Sequence, residues 1–284
     1  MNPPGSTGAL VLGGRLEPRA LESFDARRLA RRLAPPLVLA VIVLGAWQLY
    51  VALSGITQSV LPSPLEVGRA LVRDRSELAS SAWTTLSEVL LGYGVAIAAG
   101  LAAAVAVASS RLVERALYPW LVISQLVPVP AIAALVVVWS GFGIGSKVIV
   151  IALVSFFPIA VNTIDGLRST DPEMLDLLRT LGAGRWRRLA LARAPSALPY
   201  LFSGLRVAAA LSVVGAVFAE WVGSSSGLGY LILTDNAQVQ TADEFAAIVL
   251  LALIGVALFG AVGLVERVAL PWYRAPREDD RVDP

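Results

Sequence analysis

The chain has 284 residues, 56% of them apolar and only 15% charged, where an ordinary soluble domain carries about 25% charged residues. With a mean hydropathy of +0.71 it lacks the polar surface to cover a water-soluble globule and reads as one compact membrane bundle. It has no cysteine and no histidine, a net charge of +2, and one lysine among its 23 basic residues, which excludes disulfides, thiol catalysis, histidine-based metal sites and Ser–His triads.

Residues 1–34, rich in Pro, Gly and Arg, read as a polar N-terminal segment. The first apolar run, about 36–54, follows a basic stretch as a cleaved leader would, with Ala52-Leu53-Ser54 as a weak cleavage match. It is long for a leader and further spans follow, so a retained first helix is expected. Crossing about 30 Å of hydrocarbon takes roughly 20 apolar residues. By that measure six spans are predicted, at about 36–54, 83–108, 117–139, 147–164, 198–221 and 245–268. All should be helices, because backbone polar groups in lipid must be satisfied within their own segment; the fold class is therefore all-α, a polytopic helix bundle.

Between the first two spans, Ser63-Pro64-Leu65-Glu66 is a capping box with proline at the first helical position. Leu65, Gly68 and Val72 follow along one side, which predicts a short interfacial helix with Arg69, Arg73 and Arg75 toward water. The second span carries Gly92, Gly94, Ala96, Ala98, Ala99, Gly100 and Ala102–Ala104, a dense small-residue run expected to form a helix-packing face. Pro128 and Pro130 in the third span and Pro158 in the fourth predict kinks. Gly141 to Lys147 imitates a phosphate-binding loop, but Ser146 and Val148 stand where glycine and Ser/Thr are required. It is read as a tight turn, so energy from a nucleotide must come from a partner.

Orientation follows from the basic residues. With the N-terminus inside, the inside segments hold 18 of them and the outside segments four: Arg69, Arg73, Arg75 and Lys147. This predicts cytoplasmic N- and C-termini and a cytoplasmic tail over 271–284. Trp47, Trp83, Trp120, Trp139, Trp221 and Trp272 fall near predicted span ends, where amphipathic rings prefer to sit.

The inside loop 165–197 is the most informative segment. Asp171 is placed to cap a helix that begins at Pro172, with Glu173 favourable toward its dipole. Met174, Leu177, Leu178 and Leu181 form an apolar stripe, and Gly182 is the expected left-handed stop. A second short helix carries Arg185, Trp186, Arg187, Arg188 and Leu189, and Pro195 closes the loop. Such a hairpin either packs beneath its own bundle or fits a groove on a partner.

The loop resembles the EAA loop of binding-protein-dependent ABC importer permeases: Glu-Ala-Ala, three residues, Gly, nine residues, Ile-x-Leu-Pro. Aligned on Gly182, Asp176, Leu177 and Leu178 stand at Glu-Ala-Ala, Ala192 and Ala194 at Ile and Leu, and Pro195 at the proline. Leu-Leu in place of Ala-Ala, together with Asp-Pro-Glu at 171–173, Leu-Gly-Ala at 181–183 and Ala-Leu-Pro-Tyr at 197–200, is similar to the nitrate/sulfonate/taurine branch. The resemblance covers about 59–270, including Leu61-Pro62-Ser63-Pro64, Phe157-Pro158 and Gly227-Leu228-Gly229-Tyr230.

It implies a type I importer permease (MetI-like) fold over 35–270, in the inner (plasma) membrane. It also implies a two-fold homodimer, two ABC ATPase subunits, an extracytoplasmic substrate-binding protein and surrounding lipid, with no nucleic-acid partner. No cofactor or metal would be bound by this chain, ATP and magnesium being held by the partner ATPase. The chain would be no enzyme and have no catalytic residues. Glu173, Asp176, Leu177, Leu178, Leu181, Gly182, Arg185, Trp186 and Pro195 would couple ATPase closure to alternating access. The wording around Ser124-Gln125 and Ala219-Glu220-Trp221-Val222-Gly223 resembles permeases for the thiamine pyrimidine precursor or riboflavin. That implies a vitamin-precursor heterocycle as cargo, with sulfonate, taurine or nitrate as the alternative.

Polar groups inside spans are costly and therefore informative. Glu88, Gln125, Ser155, Asn162, Arg206, Ser212 and Glu220 are the candidate lining of a translocation path. Arg206 lies within reach of Asp165, so a structural Asp165–Arg206 pair is expected in preference to substrate contact. A secondary transporter would share the six spans but has no use for an inside hairpin punctuated in this way.

Overall fold

The computed structural model describes residues 26–273 and is built from α-helices. The N-terminal polar segment and the C-terminal tail fall mostly outside the described residues, at 1–25 and 274–284. The chain divides into two units, one ending at Tyr50 and one beginning at Val51. The first is dominated by helix α1 (Ala26–Ser54), which starts within the segment read as polar lead-in and carries Pro35 and Pro36.

In the second unit α2 (Pro64–Arg73) leads into α3 (Arg75–Ser109), followed by α4 (Arg111–Ser124), α5 (Val129–Ser140) and α6 (Ile144–Arg168). Two short helices follow, α7 (Pro172–Thr180) and α8 (Arg185–Arg188). Then come α9 (Ala194–Gly223), α10 (Leu228–Ala237) and α11 (Thr241–Ala269). Among the described residues, five segments are long and apolar enough to cross a membrane, and six if the bent pair α4–α5 is one span.

That pair corrects the expectation of a kinked third span. Its halves diverge by 103° across the break before Val129. Pro128 is extended, at φ −61° and ψ 128°, and disfavours a helical Val127, so the first helix stops rather than bends; Pro130 falls in the first turn of α5, where a missing N–H is tolerated. Pro158 acts alone, and α6 runs through it as one helix.

α6 is the spine, packed against α3 on one side and α9 on the other. The small-residue reading of α3 is sharpened: Gly92, Ala96, Gly100 and Ala104, four apart, are buried, while Gly94, Ala98, Ala99 and Ala102 are exposed. A Cβ on Gly100 would stand 2.8 Å from Cγ2 of Ile159, so only glycine lets the helices meet there. α9 approaches as closely, its Gly204 lying where a Cβ would be 2.6 Å from the Pro158 carbonyl. Tyr93 of α3 donates its hydroxyl to the Leu205 carbonyl of α9 at 2.8 Å.

The capping box at α2 is formed: Ser63 Oγ accepts the Glu66 N–H at 3.3 Å, and Glu66 accepts the Ser63 N–H at 2.8 Å. Its buried side is Val67 and Ala70, however, so the predicted stripe of Leu65 and Val72 faces outward.

Candidate functional site

At the end of the bundle where α3 and α6 finish, α7 is set out from the helices by its caps. Asp171 Oδ1 accepts the Glu173 N–H at 2.9 Å, and Pro172 occupies the first turn. The helix stops as the sequence requires. Gly182 takes φ +75°, its N–H bonds the Arg179 carbonyl, and the Ala183 N–H reaches back to the Leu178 carbonyl, both at 2.9 Å. These two bonds are a Schellman stop.

α7 buries none of its residues. Met174, Leu177 and Leu181 are exposed, as is Trp186 of α8 at 58%, and Trp186 also lines the groove that Leu175 faces at the end of α3. Leu175 and Leu178 turn partly inward instead. Asp176 is held by Arg179 at 2.5 Å, the Arg185 guanidinium lies 5.5 Å from the Trp186 ring centre, and Glu173 is exposed. The loop ends earlier than expected: α8 continues through a π-helical turn, Leu189–Arg193, straight into α9. Pro195 therefore lies inside this continuous helical run, just after the π-helical turn, and does not close the loop. Arg193 ties this junction to the end of α3 through the Ala108 carbonyl at 3.2 Å.

The candidate path residues are not gathered at one place. Gln125 caps α4 at the break and, with Ser124, Trp120, Ile132 and Phe156, lines a mostly apolar cavity of about 290 Å³. Ser155 is fully buried, its hydroxyl without a partner among the described residues. Asn162 donates to the Pro158 carbonyl and Ser212 to that of Ala209, each within its own helix. Arg206 is not paired with Asp165. It meets Glu266 of α11, with its guanidinium 6.0 Å from the Phe259 ring centre, while Asp165 lies 3.8 Å from Arg168 one turn along α6. Glu266 was the missed partner; an acid near the same end of the sixth span as Arg206 of the fifth was the available signal.

At the opposite end Glu88 and Glu220 are both buried. Glu220 Oε1 accepts the Thr85 hydroxyl at 2.6 Å, and Oε2 accepts the Gly229 and Tyr230 N–H groups at 2.5 and 3.2 Å. Thr85 in turn accepts the Leu228 N–H at 2.8 Å, so the first turn of α10 is bonded into the bundle. Lys147, expected on an outside turn, lies in the first turn of α6, 6% exposed, with Nζ 2.6 Å from Glu88. Gly141 and Gly143, at φ +77° and +147°, form the tight turn just before it.

On the same end a groove lies between α2, α3, α10 and α11. Burial, then the charges of Asp243, Glu77, Glu244 and Asp74, push the Asp235 carboxyl up to about 6. Asp74 is held below the usual carboxylate range by its hydrogen bond to Arg73.

A family model described as binding-protein-dependent transport system inner membrane component matches residues 96–269. The chain is similar to the formylaminopyrimidine transport permease protein ThiX of Halalkalibacterium halodurans, 36% identical over 84% of this chain and 95% of that one. It is also similar to the riboflavin transport system permease protein RibX of Chloroflexus aurantiacus, 39% identical over 83% of this chain and 88% of that one. Among solved structures, the crystal structure of an amino acid ABC transporter with histidines shares the fold. Its TM-score is 0.56 at 17% identity, covering 69% of this chain and 96% of that one.

Proposed function

We propose, for a chain that belongs to the family of binding-protein-dependent transport system inner membrane components and is a permease subunit of an ABC importer, that α7 and α8 are its coupling segment and a vitamin-precursor heterocycle its cargo. The observation that carries the first part is the exposure of the apolar side chains Met174, Leu177 and Leu181 at α7 and of Trp186 in α8. An unburied stripe held out by two caps fits a partner groove and not the chain's own bundle. Closure of two partner ATPases, which hold ATP and magnesium, pushes this segment, and the rigid α8–α9 junction passes the push to α9. The helices then rock between outward- and inward-facing states. The α7–α8 end is accordingly cytoplasmic, with both termini, and the α10 end faces the binding protein. Two copies, related by a two-fold axis, make the path.

The heterocycle is supported by charge balance. Lys147 and Arg206 lie within membrane segments, and each already faces a carboxylate, Glu88 and Glu266. Neither is left to hold a sulfonate or nitrate. The cavity at the α4–α5 break, with Trp120, Phe156 and the Gln125 amide, has the flat apolar walls and single polar handle that suit a small heterocycle.

Two measurements test these parts separately. The chain has no cysteine, so Trp186→Cys carries the one reactive thiol; a thiol crosslinker there should capture the ATPase, and capture of none sinks the coupling assignment. Titration of the partner binding protein should show an aminopyrimidine or flavin bound at least about 100-fold more tightly than taurine, a gap of roughly 2.7 kcal/mol. The reverse order sinks the cargo.

A further inference from the structure

Three buried ionisable side chains meet at the α10 end, and their hydrogen bonds do not balance as simple ions. Lys147 Nζ donates to Glu88 Oε1 and to Ser224 Oγ, both at 2.6 Å. Thr85 and Glu88 are one turn apart on α3, and Glu220 and Ser224 one turn apart at the end of α9. The Thr85–Glu220 and Lys147 bonds therefore bring the two carboxyl groups together, and they act on each other electrostatically. Glu88 is 2% exposed and Glu220 fully buried. Glu88 Oε2 is buried too and has no hydrogen-bond partner among the described residues.

Two carboxylates beside one ammonium leave one uncompensated negative charge away from water, a costly arrangement that a buried group avoids by taking a proton. The donors decide which oxygen takes it. Both Glu220 oxygens already receive O–H or N–H groups, as an ionised carboxylate does. Glu88 Oε1 receives the ammonium. Of these oxygens Glu88 Oε2 alone receives no donor, so it is the one left to carry a hydrogen. The groups facing it are Lys147 from α6, Glu220 from α9 and the backbone N–H groups of the α10 first turn.

We propose that this cluster is a proton-binding site in which Glu88 holds one proton at Oε2 and shares it with Glu220. A proton from water adds to the Glu88 carboxylate, one O–H bond forms, and no other reactant is needed. The four elements joined there, α3, α6, α9 and the α10 first turn, are then fastened by a network of zero net charge. This site stands apart from the cargo and coupling assignments and does not depend on them.

The test uses the permease–ATPase complex in lipid nanodiscs. Infrared spectra in water and deuterium oxide at about pH 7 should show the carbonyl band of a protonated carboxylic acid, shifted by deuterium. Glu88→Gln should abolish it, and Glu114→Gln, which removes an acid at the other end of the bundle, should leave it. Between about pH 6 and pH 9 the melting temperature of the wild-type complex should fall more than that of Glu88→Gln, whose amide imitates the protonated acid. Lys147→Met should be less stable than both throughout. A wild-type complex without the band, or a band that survives in Glu88→Gln, overturns the proposal, as does a Glu88→Gln complex as unstable as Lys147→Met at every pH. Should Glu88→Gln fail to assemble, Glu220→Gln removes the neighbouring charge and must also abolish the band.

Discussion

A Cβ built on Gly227 would lie 2.4 Å from the carboxyl carbon of Glu220. Gly227 also holds φ +110°, a region L side chains rarely adopt. The carboxylate reaches the first turn of α10 only because the residue before that turn has no side chain. Gly227→Ala therefore adds backbone strain of about 1–3 kcal/mol to a steric overlap. It is expected to lower the melting temperature of the solubilised protein by several degrees. Gly68→Ala, with open space around its site, should be neutral or slightly stabilising. Heating followed by size-exclusion chromatography reads both.

Gly182 presents the opposite case. Nothing lies within 4 Å of where its Cβ would go, so the φ of +75° alone demands glycine. Cargo transported per ATP hydrolysed in proteoliposomes should then follow conformational tolerance. Gly182→Asn should stay near wild type, Gly182→Ala should fall, and Gly182→Val should fall by tenfold or more while hydrolysis persists. Normal coupling in the valine variant would mean that the turn geometry is not what α7 contributes.

Capping chemistry was legible in the sequence wherever it is local: Ser63 with Glu66, Asp171 with Pro172, and the Gly182 stop all depend on neighbours a few residues away. Span positions were legible for the same reason, since hydropathy is a property of a window. Pairing between spans was not. The sequence points to Asp165 as the partner of Arg206, and the choice of Glu266 instead depends on helix rotation, which composition does not encode. Lys147 reads from the sequence as an outside-turn residue because Gly143 and Gly145 beside it signal a turn. Its burial follows from Glu88, 59 positions away. The α4–α5 break was half legible: Pro128 and Pro130 marked its place, but not the 103° between the arms.

Leu177 and Leu175 test which face of α7 meets a partner. Leu177 is 54% exposed, and Leu175 lines the groove between α7 and the end of α3. Leu177→Asp should weaken ATPase association at least tenfold, about 1.4 kcal/mol, with the melting temperature of the isolated permease unchanged. Leu175→Asp should lower the melting temperature itself. Equal effects of the two on both readouts would remove the distinction between an outward and an inward face.

The α10-end groove predicts a pH dependence. The Asp235 carboxyl, ordinarily at 3.8, is pushed up to about 6 by burial and by four neighbouring acids. Between those values the folded state holds more protons than the unfolded state, so stability falls as pH rises from about 4 to about 6 and stays lower above it. Asp235→Asn should flatten that part of the melting-temperature profile and be more stable than wild type at pH 7. The carboxyl is only partly buried, so the gain should be small and shrink with added salt. A profile that keeps its slope in Asp235→Asn would shift the titration to another member of the groove.

Arg206 and Glu266 give the sharpest test of how spans five and six are held together. Their carboxylate and guanidinium meet on α9 and α11, with Glu266 18% exposed and Arg206 36%. Removing one partner strands the other's charge in a poorly hydrated place, which costs about 3–5 kcal/mol in a fully buried pair and less here because Arg206 is partly exposed. Arg206→Met and Glu266→Gln should each lower the melting temperature clearly, and the double variant should lose less than the sum of the two. Asp165→Asn, whose exposed carboxylate faces Arg168 at the end of α6, should change little and add independently to either. Non-additivity between Arg206 and Asp165, with additivity between Arg206 and Glu266, would restore the pairing expected from sequence. It would also place the loop end of α6, and not α11, against α9.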